Sequence, residues 1–305
     1  MLREIFFALK DETFLNREIM TGVDETIKYF EDNGFTALAI SMGDFHVLNI
    51  DKEKKKSVLV LCDDAAFSGT LSDEGFYVAG ILHEGSAENF EGLKYVFSDL
   101  TQVEMDSFIK VYQRYAGEPW EILRTERLIV RETTVDDVDE FYRIYKDPEM
   151  TRYMEGLFED PADEKRYQAD YIKKVYEFMG FGVWTVIRKE DGRIIGRAGY
   201  SVRKGFDEIE LGFLIGKEFQ RQGYAYEVCA GILDYGRDVL LFDKVRTLVK
   251  KDNTASVHLC EKLGFRILDE IDVEENIYGG AYDTDGKVTF GPDNYGTYVR
   301  MVRAF

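Results

Sequence analysis

Hydrophobic residues in the second half of the chain switch twice from two-residue spacing to spacing of three and four residues. Apolar and polar residues alternate over residues 209–213, which predicts a half-buried strand. From Ala225 to Val239 the apolar positions recur at helical spacing, as in a helix that packs on a sheet. The alternating segment Lys244 to Lys250 is then followed by a short helix that ends at Leu263-Gly264-Phe265. This pattern predicts two consecutive strand–helix units.

The first part of the chain also alternates between the two periodicities. Strands that are separated by helices favour a mainly parallel sheet covered on both faces, so we expect a three-layer α/β domain. The predicted strands are Phe35 to Ser41, Ser57 to Cys62, Phe76 to Leu82 and Tyr95 to Phe97, and the predicted helices are Val23 to Asn33, the segment from Asp63-Asp64 to about Gly75, and Val103 to Tyr115.

The length of 305 residues indicates two domains. A turn-like sequence, Gly117-Glu118-Pro119-Trp120, separates the last helix of the first part from the next predicted strand. Because the chain has only 4 prolines, this one is informative. We therefore predict domains at residues 1–118 and 119–305.

A glycine turn lies between the strand at 209–215 and the helix that follows it. Its sequence is Gln220-Arg221-Gln222-Gly223-Tyr224-Ala225. A glycine and a small residue two positions later allow the backbone to approach a ligand closely. The unpaired N–H groups and the positive end of the helix dipole can then bind phosphate oxygens. The turn is a candidate pyrophosphate site.

Together these motifs resemble the acyl-CoA-binding half of a GCN5-related N-acetyltransferase (GNAT). The resemblance rests on Gln-x-x-Gly-x-Ala at 220–225, Asn-x-x-Ser at 253–256 and Leu-Gly-Phe at 263–265. Residues 124–131 are similar to the opening strand of the branch that contains the ribosomal-protein N-terminal acetyltransferases, and residues 182–196 to its central hairpin. The resemblance covers about residues 122 to 305 and implies an α+β domain with a mixed sheet and flanking helices.

The family resemblance implies acetyl-CoA as co-substrate and a set of binding residues. The N–H groups of the turn would bind the pyrophosphate, and backbone groups of the preceding strand would pair with the pantetheine arm. In the family an asparagine like Asn253 bonds this arm, with a residue like Ser256 nearby, although both residues also suit helix capping. The implied set is Leu214, Ile215, Gln220, Arg221, Gln222, Gly223, Tyr224, Ala225, Asn253 and Ser256.

Related enzymes place a carboxylate on the same strand to receive the amine proton. Glu210 is our first candidate for this base and Glu208 the second, because residues two apart on a strand face the same side. Many relatives carry a tyrosine where this chain has Cys260. Protonation of the leaving thiolate is therefore unassigned, and Cys260 is either a weak donor or a small core residue.

The resemblance favours transfer of an acetyl group to a primary amine, either a peptide N-terminus or a small molecule. The alternative is a noncatalytic acyl-CoA sensor that keeps the phosphate turn. The family places the acceptor pocket near Met150 to Phe181, and the glycine- and tyrosine-rich residues 278–282 suggest a hairpin near its mouth. The acceptor itself has no signature in the sequence.

Composition limits the setting of this chemistry. A net charge of −19 argues against nonspecific nucleic-acid binding. The 3 cysteines are far apart, which argues against a disulfide framework, and no long apolar run predicts a membrane segment. We therefore expect a cytoplasmic protein. The histidines show no metal-ligand spacing, so we expect no metal site. An edge strand near Tyr298 to Val302 could support a homodimer.

The segment Ser57 to Leu100 resembles the later half of a Rossmann-like haloacid dehalogenase phosphatase. Such enzymes need an Asp-x-Asp motif after their first strand, and no Asp-x-Asp precedes the domain boundary. We therefore expect a noncatalytic domain. Residual binding of metal or phosphate by Ser41 and Asp63-Asp64 and a role as an interaction or regulatory module both remain open.

Overall fold

The computed structural model describes residues 1–154, 156–203, 205–275 and 294–305. Its contacts divide the chain into two compact units, Met1–Glu118 and Pro119–Phe305. The predicted hairpin at residues 278–282 lies outside the described residues. No helix among the described ranges is both long and apolar enough to cross a membrane.

The first unit is built on a five-stranded parallel sheet with the order β2-β1-β3-β4-β5. Helices α2 and α5 cover one face, and α4 with the turn Met42–Leu48 covers the other, so the unit has three layers. The elements are β1 Glu4–Leu9, α1 Asp11–Leu15, α2 Arg17–Asp32, β2 Thr36–Ser41, α3 Lys52–Lys55, β3 Val58–Cys62, α4 Ala65–Asp73, β4 Tyr77–Ile81, β5 Val96–Phe97 and α5 Met105–Ala116. The predicted three-layer α/β class is confirmed.

The sequence prediction omits the strand at the centre of this sheet. Strand β1 pairs with β2 on one side and β3 on the other, and all but the first of its residues are buried. A strand that is buried on both faces is apolar throughout and lacks the alternation that marks a half-exposed strand. A continuous apolar run such as Ile5 to Leu9 does not by itself distinguish a strand from a buried helical segment.

The second unit contains an eight-stranded sheet with the order β12-β13-β11-β10-β9-β8-β7-β6. Its neighbouring strands are antiparallel except for the parallel pair β10–β11. The elements are β6 Glu121–Arg124, β7 Leu128–Arg131, α6 Val138–Tyr145, α7 Pro161–Tyr171, a π-helical segment Ile172–Tyr176, α8 Glu177–Met179, β8 Val183–Arg188, β9 Ile194–Ser201, β10 Ile209–Ile215, α9 Tyr224–Asp238, β11 Lys244–Lys250, α10 Thr254–Lys262, β12 Arg266–Glu275 and β13 Asn294–Ala304.

Two details of this sheet correct the sequence predictions. Residues 124–131 contain the last residue of β6, a turn and the whole of β7, because β6 folds back antiparallel on β7. The segment Tyr298 to Val302 is not an edge strand, since β13 is hydrogen-bonded to β11 and to β12. The edge is β12.

Alternate side chains of β10 face opposite layers of the second unit. Leu211 and Ile215 belong to the core that α9 covers, whereas Leu214 packs with Ile144 of α6 and with Met150. This alternation directs Glu210 and Leu214 toward the face that carries α6 and α7.

A buried carboxylate fixes the start of α6 against the sheet. Asp137 receives both Nη groups of Arg131, at 2.6 and 2.7 Å, and its Oδ2 also accepts from the Thr185 hydroxyl at 2.9 Å. The Thr134 N–H donates to the same oxygen at 2.9 Å in a capping box. Burial alone would raise the pKa of Asp137, but these hydrogen bonds outweigh burial and lower the pKa.

Candidate functional site

Strands β10 and β11 diverge soon after they begin. They pair at Ile209 with Val245 and at Glu210 with Arg246, and at no later position of the described strands. Beyond these positions β10 stays paired with β9 as far as Ile215, and β11 stays paired with β13. The β11-facing side of the later part of β10 is therefore open to an extended ligand, which can pair with it like an added strand.

The glycine turn lies at the end of β10 and forms the start of α9. Gly223 is the N-cap residue, with φ +85°, and Arg221 also lies in the left-handed region, with φ +59°. Among the described residues, the N–H groups of residues 222–226 have no hydrogen-bond acceptor. A left-handed turn with several free N–H groups at a helix N-terminus is an anion-binding arrangement.

Glu227 in the first turn of α9 holds the glycine turn against the loop before β7. Its carboxylate accepts from the Thr125 hydroxyl at 2.5 Å and from the Arg127 N–H and Nε at 2.8 and 2.6 Å. Arg127 also donates to the Gln222 carbonyl at 3.0 Å. A Cβ at Gly223 would lie 3.3 Å from Arg127 Nη2, and the positive φ of this residue favours glycine whatever the space.

A cavity of about 1320 Å³ connects the glycine turn with the divergence of the strands and with the α6–α7 face of the sheet. Of the predicted site residues, Glu208, Gln222, Tyr224 and Cys260 do not line it. The predicted residues that do line it are Glu210, Leu214, Ile215, Gln220, Arg221, Gly223, Ala225, Asn253 and Ser256. The cavity therefore brings residues of β10, the glycine turn and α10 to one place.

Asn253 and Ser256 lie at the start of α10, on the β11 side of the cavity. The Asn253 side-chain oxygen accepts from the Ser256 N–H at 3.3 Å and caps the helix. The amide NH₂ of Asn253 is left to donate to a ligand. On the other side, Gln220 Nε2 donates to the Ile215 carbonyl at 2.9 Å and ties the turn to the end of β10.

Comparison with known proteins identifies the second unit. A family model described as an acetyltransferase (GNAT) domain matches residues 127–266. The uncharacterized N-acetyltransferase YoaA of Bacillus subtilis strain 168 is 30% identical over 172 residues, which cover 93% of that protein and 54% of this chain. The chain belongs to the GNAT acetyltransferase family.

Other proteins resemble this GNAT acetyltransferase over a similar part of the chain. The uncharacterized N-acetyltransferase p20 of Bacillus licheniformis is 28% identical over 150 residues, covering 83% of that protein and 48% of this chain. A solved structure of ribosomal-protein-S5-alanine acetyltransferase from Vibrio fischeri has 15% identity and a TM-score of 0.48, with 60% of this chain and 95% of that chain covered. The phosphatase resemblance of the first unit gains no support from these comparisons and stays a prediction.

The two candidate bases of the GNAT domain have different surroundings. Glu210 lines the cavity and is ion-paired with Arg203 Nε at 3.2 Å and with Arg246 Nη1 at 2.9 Å. Glu208 instead pairs with Lys244 at 3.2 Å, and this hydrogen bond lowers its pKa. The structure thus separates two glutamates that the sequence alone treats almost equally.

Arg246 is a partner of Glu210 that sequence reasoning missed. Its side chain is fully buried and lies over the Phe206 ring at 3.9 Å. Burial lowers the pKa of this guanidinium, and the Glu210 carboxylate opposes that effect. The sequence carries little signal for this role, because an arginine at a polar position of the alternating strand Lys244–Lys250 is typical of an exposed residue.

Cys260 lies in the hydrophobic core under α10. Its side chain is fully buried, and burial raises the pKa of the thiol to about 12. Because the thiol neither lines the cavity nor carries an accessible proton, the geometry favours the core role over the acid role.

Two charged groups on the α6–α7 side of the cavity also escaped sequence reasoning. Glu164 of α7 and Arg197 of β9 both line it. A glutamate in the first turn of a helix and an arginine in a sheet strand are ordinary surface residues in a sequence. Only the tertiary structure, in which residues of α7 and β9 line the same cavity, shows that they are brought together.

Proposed function

We propose that the second unit transfers the acetyl group of acetyl-CoA to a primary amine. The observation that carries this proposal is the cavity that joins the divergence of β10 and β11 to the glycine turn at the start of α9. One end offers free N–H groups for a pyrophosphate, and the middle offers an open strand for a pantetheine arm.

The donor would bind through groups that the site leaves available. The N–H groups of residues 222–226 would hold the pyrophosphate, and Arg221, which is exposed at the turn, adds positive charge. The pantetheine amides would pair with the open side of β10, and the Asn253 amide would donate to the same arm. The thioester would then lie near Leu214, beside the α6–α7 face.

Transfer requires the amine nitrogen to attack the thioester carbonyl while one of its protons is removed. Glu210 is the candidate for the proton acceptor, directly or through water, since it lines the cavity and Glu208 does not. Its ion pairs with Arg203 and Arg246 hold the carboxylate in position. Collapse of the intermediate breaks the C–S bond, and the CoA thiolate takes its proton from water or from another group in the cavity.

An assay of thiol release tests this proposal. Full-length protein is incubated with acetyl-CoA and a panel of peptides, polyamines and amino compounds, and free thiol is measured. Amine-dependent CoA release supports the transferase, and a rise in melting temperature with acetyl-CoA supports the donor site. Clear CoA binding without thiol release across the panel would favour the noncatalytic acyl-CoA sensor instead.

A further inference from the structure

Ion pairing is unequal among the charged side chains that line the cavity. Most cavity carboxylates have a cationic partner within 4 Å, but among the described residues Glu164 has none. The paired groups are Glu149 with Lys217 at 2.7 Å, Asp170 with Lys174 at 2.7 Å, and Glu210 with Arg203 and Arg246 at 3.2 and 2.9 Å.

Glu164 is held on α7 with its carboxylate largely removed from bulk water. Only 4% of the residue is exposed, and Oε2 accepts the Phe158 N–H at 3.1 Å. Burial raises the pKa of this carboxyl. One turn further along α7, Gln168 is fully buried, and neither of its amide atoms has a partner among the described residues. Buried polar groups in native proteins are normally hydrogen-bonded, which indicates that water or a ligand completes this region.

Arg197 is a cavity-lining cation that also has no partner of opposite charge within the described ranges. It lies on β9 opposite Leu214, and its guanidinium covers the Phe141 ring at 4.6 Å. Its Nε is buried without an acceptor, and no described carboxylate lies within 4 Å of its charged group. Three other cavity cations have no carboxylate partner in the described part of the chain, and all three are exposed, namely Arg152, Arg221 and Lys262.

Glu164 and Arg197 therefore form a separated pair of opposite charges inside one cavity. Both groups line the cavity, and among the described residues they form no ion pair with each other. Burial raises the pKa of Glu164, and the positive charge of Arg197 opposes that rise. Such a separated pair is complementary to a ligand head group that carries an ammonium beside a carboxylate.

On this basis, and resting on the proposed acetyl transfer, we propose that Glu164 and Arg197 bind the zwitterionic head group of a diamino acid. The α-ammonium pairs with Glu164 and the α-carboxylate with Arg197, so the side-chain amine is the acceptor. An ammonium that is held by a carboxylate cannot attack, which is why the reacting amine is the second one. Its nitrogen forms the amide bond as the C–S bond breaks, and its lost proton balances the proton gained by the thiolate.

Four commercial amines separate the contributions of the two charges. L-Lysine and L-ornithine carry both charges of the head group, 1,5-diaminopentane lacks the carboxylate, and 6-aminohexanoate lacks the α-ammonium. CoA release gives kcat/KM for each. We expect at least one diamino acid to exceed both analogues by roughly tenfold or more, mainly through KM. Equal kcat/KM for all four amines would overturn the inference.

Two variants test whether Glu164 recognises the α-ammonium and Arg197 the α-carboxylate. Glu164→Gln keeps an acceptor for the Phe158 N–H and removes the charge, so it should lose the preference for the diamino acid over 6-aminohexanoate and keep the one over 1,5-diaminopentane. Arg197→Gln should lose the preference for the diamino acid over 1,5-diaminopentane and keep the one over 6-aminohexanoate. Asp170→Asn is the matched control, because Asp170 lines the same cavity but is already paired with Lys174. It should change neither preference.

The outcomes distinguish this inference from the proposed function. CoA release with other amines, without a preference for diamino acids, would overturn the head-group site and leave the acetyltransferase assignment intact. Absence of CoA release with every amine would reject the transferase itself. Melting curves of each variant show whether it is folded. A folded Glu164→Gln protein that retains the full preference over 6-aminohexanoate would also refute the assignment.

Discussion

The substitution Glu210→Gln tests both the electrostatics and the chemistry of the site. It removes the negative charge that faces Arg246, whose side chain is 0% exposed, whereas the Glu210 side chain is 12% exposed. Removing one partner of a buried ion pair leaves the other charge without compensation, which typically costs about 3–5 kcal/mol. The Phe206 ring still covers the guanidinium at 3.9 Å, so we expect the lower end, about 3 kcal/mol.

Thermal unfolding measures this cost directly. For a domain of about 150–250 residues each kcal/mol shifts Tm by about 2–4 °C, so the transition of the second unit should fall by about 6–12 °C. Glu208→Gln is the control. Its partner Lys244 is 54% exposed, and an exposed pair contributes about 0–1 kcal/mol. The double variant Glu210→Gln/Arg246→Met should recover much of the lost stability, because it removes both charges.

The same variant tests the catalytic role of Glu210 when activity is measured well below its Tm. Loss of a proton acceptor should lower kcat by roughly 10²–10⁴-fold, while acetyl-CoA binding is retained. Equal Tm shifts for Glu210→Gln and Glu208→Gln would refute the buried-pair argument. An unchanged kcat in the folded variant would remove Glu210 from the mechanism.

Substitutions at three further residues test other parts of the second unit. Gly223→Glu should abolish acetyl-CoA binding in calorimetry, because it puts a side chain and a negative charge into the phosphate turn, and retained affinity would contradict the site. Gly223→Ala should cost about 1–2 kcal/mol of stability, because the backbone at this position is left-handed. Asp137→Asn should destabilise the unit by about 3 kcal/mol at pH 7. Because the pKa of Asp137 is lower in the folded than in the unfolded state, this difference is complete above the unfolded pKa of about 4 and shrinks as the pH falls through the folded pKa. Urea unfolding of the unsubstituted protein and of Asp137→Asn at pH 7 and pH 3 measures this stability difference. An equal difference at both pH values would exclude the ionised Asp137 carboxylate as its cause. Cys260→Ala should leave kcat within about twofold, since the buried thiol does not line the cavity, and a loss on the order of 10² would restore its acid role.

Local features of the second unit were predictable because neighbouring residues encode them. The alternation at 209–213 and the helical spacing after Ala225 correspond to β10 and α9, and Gly264 ends α10 with φ +87°. Strand or helix periodicity and a left-handed stop depend on residues a few positions apart. The family resemblance rests on such local motifs, and the comparisons confirm it.

Features that depend on both faces of an element, or on distant partners, were not accessible in the same way. The sequence prediction lacks the central strand Glu4–Leu9, because burial on both faces leaves a continuous apolar run that periodicity alone does not assign to a strand or a helix. The segment Tyr298 to Val302 was misplaced at an edge because strand order is set by pairing with β11 and β12, which no local pattern records.

The sequence by itself therefore determined the secondary structure around the glycine turn, the fold class and the family. Tertiary structure alone decided which predicted residues share a cavity, that Glu210 rather than Glu208 lines it, and that Cys260 is buried in the core. It also placed Glu164 and Arg197 in the same cavity. The physical reason is that burial, ion pairing and the approach of distant charges arise only when helices pack on a sheet, whereas helix caps, turns and periodicity are properties of the chain within a few residues.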